Sequence, residues 1–182
     1  MAEIIDRNID NNEVIIRFIY KGDFKHNKPI IKENLIDKDV FLDTRFSEVS
    51  LLRTRYNNKN NCIRRGYETK QDFVGFLAFK KKMFLSIVAE HKLDDFESFE
   101  AKLVSSPLDE NYKIIPIEKE VKTDTPINPG HSDLIYLNPG LSHSDENPNI
   151  AIRRFSRRLY KTCIVFFEND DYENLLENLK II

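Results

Sequence analysis

The sequence predicts an α+β fold, with a mixed or antiparallel sheet and a few packed helices, two of them C-terminal. Three observations lead there. Two runs, EVIIRFIY (13–20) and FVGFLAF (73–79), are dense in β-branched and aromatic residues, as buried strands require. Two others, MFLSIVAEHK (83–92) and IRRFSRRLYK (152–161), place their apolar residues at helical spacing. These signals interleave without the regular βαβ period of a doubly wound sheet.

In chain order, the turn-prone Asp10-Asn11-Asn12 precedes the first strand and Lys21-Gly22-Asp23 ends it. Lys38–Leu42 (KDVFL) reads as a second short strand. Ser47–Tyr56 (SEVSLLRTRY) fits a strand or one short helix. The Asn-rich 56–61 stretch predicts a flexible surface loop. FVGFLAF reads as a central strand, with Gly75 marking a bulge or a close approach. Lys80-Lys81-Lys82 reads as a solvated turn before a helix that starts near Met83, and a further helical piece spans Leu93–Phe99. Ala101–Ser105 and Tyr112–Ile117 look extended. Asn147-Pro148 forms a cap and first-turn pair for a helix over 148–160, because Asn accepts from orphan N–H groups and Pro needs no donor there. CIVFF (163–167) is its end or a separate strand. A last helix is expected over 170–181, with Tyr172, Leu175, Leu176 and Leu179 on one face.

Composition narrows the function classes. With 182 residues, 41% hydrophobic and 11% aromatic, the chain carries enough apolar surface for one domain over 1–182 and too much for disorder. A net charge of −2 means that nucleic acid would have to be held by a local patch. The two cysteines, Cys62 and Cys163, stand in no metal or redox spacing and read as free thiols of a reducing cytosol. No signal peptide and no ~20-residue apolar run is visible, so the expectation is a cytoplasmic protein with no membrane partner. Phosphate-loop, dinucleotide, zinc-protease and hydrolase-elbow motifs are absent.

Three places carry chemistry-bearing residues. In 126–149, Asn-Pro-Gly and His-Ser-Asp each occur twice, flanking SDLIYL, which reads as a strand. His131, Asp133 and His143 are the candidate catalytic residues, as a general acid/base set. With Asp145 they also include a His-x-Asp…His spacing of metal-site type. Turn and cap chemistry is the plainer reading of the whole segment, because Ser and Asp accept backbone hydrogen bonds there. No metal and no cofactor is expected.

The second place is the helix over 152–161. Ile152, Phe155 and Leu159 share one face, and Arg153, Arg154, Arg157, Arg158 and Lys161 occupy the other. Such a stripe suits successive phosphates or an acidic protein surface. A solvated face neutralised by Asp145, Glu146 or Asp170-Asp171 competes with it. The third place is Arg53 and Arg55, expected on one face of a strand as an anion clamp, with Arg45, Arg64, Arg65 and Lys70 extending the positive charge. Isolated surface charges are the competing reading.

The opening EVIIRFIY, the segment FLDTRFSEVSLLRTR and Asn128-Pro129-Gly130-His131 together resemble a loose group of short, mostly uncharacterised bacterial proteins. That resemblance implies a bacterial origin and brings no activity with it. From the residues, the leading expectation is a binding component that contacts nucleic acid or an acidic partner protein through the 153–161 cations. The alternatives are a small enzyme acting on a phosphate-containing substrate such as a nucleotide, with a His/Asp acid–base pair, and a structural subunit of a multi-protein complex.

Overall fold

The β-branched and aromatic run at the N-terminal end forms the first strand, β1 (Val14–Tyr20), and every later strand is placed relative to it. The computed structural model describes residues 2–24, 36–42, 48–94, 97–124, 127–138 and 148–170. Among the described residues, six strands make one antiparallel sheet: β1, β2 (Glu48–Arg53), β3 (Phe73–Lys80), β4 (Glu100–Ser105), β5 (His131–Asn138) and β6 (Ile164–Phe167). Their order across the sheet is β4-β5-β2-β1-β3-β6. With helices α1 (Lys59–Thr69), α2 (Lys81–Asp94) and α3 (Pro148–Thr162), the fold is α+β.

Each sheet face has its own core, which explains the near-continuous apolar runs. On one face, Ile15, Ile19, Leu77, Phe79 and Leu134 meet Phe84 and Ile87 of α2 and Ile152, Phe155 and Leu159 of α3. On the other, Ile16, Leu52, Phe73, Phe76 and Phe166 pack with Cys62 of α1. All eight residues of β3 are buried, and each Phe or Leu so placed contributes ~1.5–3 kcal/mol. Phe155 anchors the first core, its ring 4.9 Å from Phe99 and 5.9 Å from Phe84.

Several expectations are corrected by local physics. Lys38–Leu42 is a turn rather than a strand. Asp37 Oδ1 accepts from Asp39 N at 3.0 Å, and the Val40 and Leu42 amides bond back to the Asp37 and Asp39 carbonyls. Its apolar residues Val40 and Phe41 plug the core from that turn. The 56–61 stretch is not a loop: Asn58 caps α1 by accepting from Asn61 N at 2.9 Å. SEVSLLRTRY splits into β2 and a single 3₁₀ turn, Thr54–Tyr56. Lys80 closes β3 and Lys81 opens α2, so the lysine run is not a turn. The helical signal at 93 stops at Asp94, and the described part of 94–99 leaves that helix for a turn at 97–98. Tyr112–Ile117 forms no strand, only an isolated bridge from Ile114 to Leu108. Its carbonyls at Ile115 and Pro116 instead accept from Arg7 Nη2. CIVFF supplies the separate strand β6. Asn147, His143, Asp145, Arg45 and the helix expected over 170–181 lie outside the described residues, apart from Asp170.

Among the described residues, no helix is long and apolar enough to cross a membrane.

Candidate functional site

Arg53 and Arg55 do not share a strand face. Arg53 is the last residue of β2 and Arg55 lies in the 3₁₀ turn that follows. Arg53 is fully buried. Its Nε and Nη2 donate to Glu13 Oε1 (2.7 Å) and Oε2 (2.8 Å), and its remaining N–H groups go to Asp6 O, Ser105 Oγ and Asn8 O. With all five donors engaged, this guanidinium stitches the N-terminal segment to the sheet and has nothing left for a ligand. Arg55 is half-exposed, 3.8 Å from Asp6.

The cations of α3 sit where the sequence places them, on the face opposite buried Ile152, Phe155 and Leu159. Their counter-charge comes from an unexpected quarter. Asp39, in the turn misread as a strand, lies 3.0 Å from Arg153 Nε and 2.7 Å from Arg157 Nε. That turn is also pinned to α3 by Ser156, whose hydroxyl accepts from Phe41 N and donates to Lys38 O. Arg154 and Lys161 lie at exposed positions and Arg158 at a half-buried one.

A cleft of about 340 Å³ opens where β1 and β2 part company. The two strands pair in register at Ile15–Arg53 and Ile16–Leu52. Farther along, Arg17 reaches across, its Nη1 3.5 Å from Ser50 O. Phe18, Tyr20 and Leu52 form one wall, and Tyr112 and Leu108 come from the long segment between β4 and β5. Arg65 and Glu68 enter from α1. Arg17, Tyr20, Ser50 and Thr69 also border a second recess, which is lined by Asp23, Asp37, Asp39 and Glu48 together with Lys70.

His131 lines this cleft, and the geometry behind it is specific. Residues 131 and 133 are two apart on β5, so their side chains share a face. Pairing of β4 with β5 then brings up Ser106, whose amide bonds to the His131 carbonyl. His131 Nδ1 is 2.9 Å from the Ser106 carbonyl oxygen and 3.0 Å from its hydroxyl. A carbonyl only accepts, so Nδ1 carries the hydrogen, which in the neutral ring leaves the lone pair on Nε2. The Ser106 hydroxyl in turn donates to Asp133 Oδ2 at 2.5 Å, while the direct His131–Asp133 separation is 3.8 Å. Serine thus bridges carboxylate and imidazole, fixing both tautomer and ring orientation. Asp133 and Ser106 are buried.

A second cation, Arg65, lines the cleft. Arg65 is buried and donates to Asn57 Oδ1 and the Ile127 carbonyl, while its Nη1 is 4.0 Å from Glu68. Burial lowers its pKa, with neighbouring Arg64 adding to the shift and Glu68 opposing it.

The sequence supplied His131 and Asp133 but not Ser106, Arg17 or Asn128. Ser106 lies twenty-five positions from His131 and meets it only through strand pairing. Asn128 was visible only as a turn residue. Among the described residues, no group of three or more His, Cys, Asp or Glu is arranged to hold a metal ion. No family model, no curated protein and no solved structure matches this chain.

Proposed function

We propose that the cleft beside His131 is the active site of a small enzyme that acts on a phosphate-containing substrate such as a nucleotide. In this reading Arg17 and Arg65 attract the phosphate, and His131 Nε2 takes a proton from the substrate or from an attacking water. Ser106 and Asp133 are positioning residues that hold the ring in the reactive tautomer. The observation that carries the reading is the Ser106 bridge, which leaves the basic nitrogen on a side chain lining the cleft. The test is a titration with inorganic phosphate, following the side-chain NMR signals of Arg17, Arg65 and His131. Saturable shifts at all three, lost in Arg17→Gln, support the site, and their absence overturns it. With a turned-over nucleotide in hand, His131→Gln is expected to lower kcat by ~10²–10⁴-fold.

A second reading keeps the α3 stripe as a contact surface for nucleic acid or an acidic protein. It is supported by five cations on one helix face, of which Asp39 engages Arg153 and Arg157. Replacing Arg154, Arg158 and Lys161 by Glu is expected to abolish DNA or RNA retention and flatten its salt dependence. Unchanged retention removes this reading.

A further inference from the structure

Asn128 is one of three cleft-lining residues, with Arg17 and Tyr20, that carry a buried polar atom without a hydrogen-bond partner among the described residues. Its backbone is fixed by two bonds with Leu108, Leu108 N to Asn128 O at 3.1 Å and Asn128 N to Leu108 O at 3.3 Å. The residue is only 8% exposed, lines the cleft, and its Oδ1 has no hydrogen-bond partner among the described residues. Buried acceptors are rarely left so, because an unsatisfied one costs ~1–3 kcal/mol. The group that completes Asn128 Oδ1 must be a donor, an N–H or O–H. Arg17 Nε is likewise buried without a partner, and it calls for an acceptor.

The lining also includes the aromatic rings of Phe18, Tyr20 and Tyr112. That composition suits a flat ring, since aromatic side chains stack on bases regardless of sequence. The volume lies at the small end of ligand pockets, which run ~300–1,000 Å³. Beyond Arg17, a longer phosphate chain would meet the carboxylates of Asp23, Asp37 and Glu48 against the single cation Lys70, Asp39 being held by Arg153 and Arg157. A ring with an N–H donor, one phosphate and no more is the chemistry these features share.

We propose that the cleft binds a nucleoside monophosphate and that Asn128 is its specificity-determining residue, accepting a hydrogen bond from the base. This rests on the reading of the cleft as a phosphate site, and the experiment separates the two. Calorimetric titrations compare inorganic phosphate, ribose 5-phosphate, the four common ribonucleoside monophosphates and the matching triphosphates on the wild-type protein. At least one monophosphate is expected to bind about tenfold or more tighter than ribose 5-phosphate, to be displaced by inorganic phosphate, and to exceed its triphosphate. In Asn128→Leu that base-dependent gain disappears while affinity for inorganic phosphate stays. Monophosphates no tighter than ribose 5-phosphate, a triphosphate that binds best, or a gain kept in Asn128→Leu each overturn the inference and leave the phosphate site standing. Failure of phosphate and of every nucleotide to bind overturns both. Should Asn128→Leu not fold, the wild-type comparisons alone decide.

Discussion

Arg53 and Glu13 form a two-pronged ion pair inside the protein, Nε to Oε1 at 2.7 Å and Nη2 to Oε2 at 2.8 Å, with both side chains almost wholly shielded. Removing one partner strands a buried charge, at a cost of ~3–5 kcal/mol. Glu13→Ala and Arg53→Leu are both expected to lose that much in urea unfolding. The double variant Glu13→Leu/Arg53→Leu loses less than either single change. Arg53→Lys recovers little, because an ammonium cannot serve Asp6, Asn8, Ser105 and both Glu13 oxygens at once.

Gly75 permits β3 and β6 to pair closely. A Cβ there would meet the Phe166 carbonyl oxygen and come within 2.9 Å of Phe167 Cα, so backbone must move. Gly75→Ala is expected to destabilise by ~1–3 kcal/mol, the range for overpacking. Amide exchange should quicken along β6 and leave β4 and β5 unaffected.

The Ser106 hydroxyl is the donor that Asp133 holds at 2.5 Å. Ser106→Ala should therefore cost ~1–3 kcal/mol by leaving buried Asp133 without it. Asp133→Asn in the same background recovers part of that loss, so a double-mutant cycle should give a coupling of ~0.5–3 kcal/mol. Additivity would mean that the two side chains do not interact.

Asp39 sits between two arginines that are each about half exposed, at 50% and 52%. Solvent screening keeps such pairs weak, so Asp39→Ala is expected to lower stability by no more than ~1 kcal/mol. Its larger effect falls on α3, whose face becomes more positive. Heparin elution should move to higher salt.

Asp23 gives the stability curve a recognisable pH component. Burial raises its pKa above the ordinary carboxylate value, against the bond from Tyr20 N and the charges of Arg17 and Lys70. A carboxyl whose folded pKa is raised is disfavoured when charged. Its contribution therefore improves as pH falls from above the folded pKa toward the ordinary value, and it levels below that. Asp23→Asn should remove this component. The variant is expected to gain on the wild type at neutral pH and to lose that gain in acid, as measured by denaturation midpoints across the range.

Legibility in the sequence followed the range of the forces involved. β1 and β3 could be read because both faces of each are buried and their apolar runs are continuous. The α3 stripe could be read because helical spacing is local. KDVFL misled because Val40 and Phe41 are core residues delivered by a turn, where β-propensity and burial part ways. Arg53 looked like a surface cation because its partner Glu13 lies forty positions earlier. His131 and Asp133 could be paired through their two-residue spacing on a strand, whereas Ser106 carries no local signal.

The strand order sets a timetable for assembly. β4 joins the sheet through β5, and β5 pairs with β2, which leaves the ribosome about 80 residues earlier. Until β5 emerges, the outer edge of β2 has no neighbour and β4 has no sheet to join. A nascent or β5-damaged chain therefore exposes an open edge of the kind that recruits other chains. Ser106, His131 and Asp133 meet only when β5 closes that gap, so competence at the cleft and protection from aggregation arrive in the same folding event.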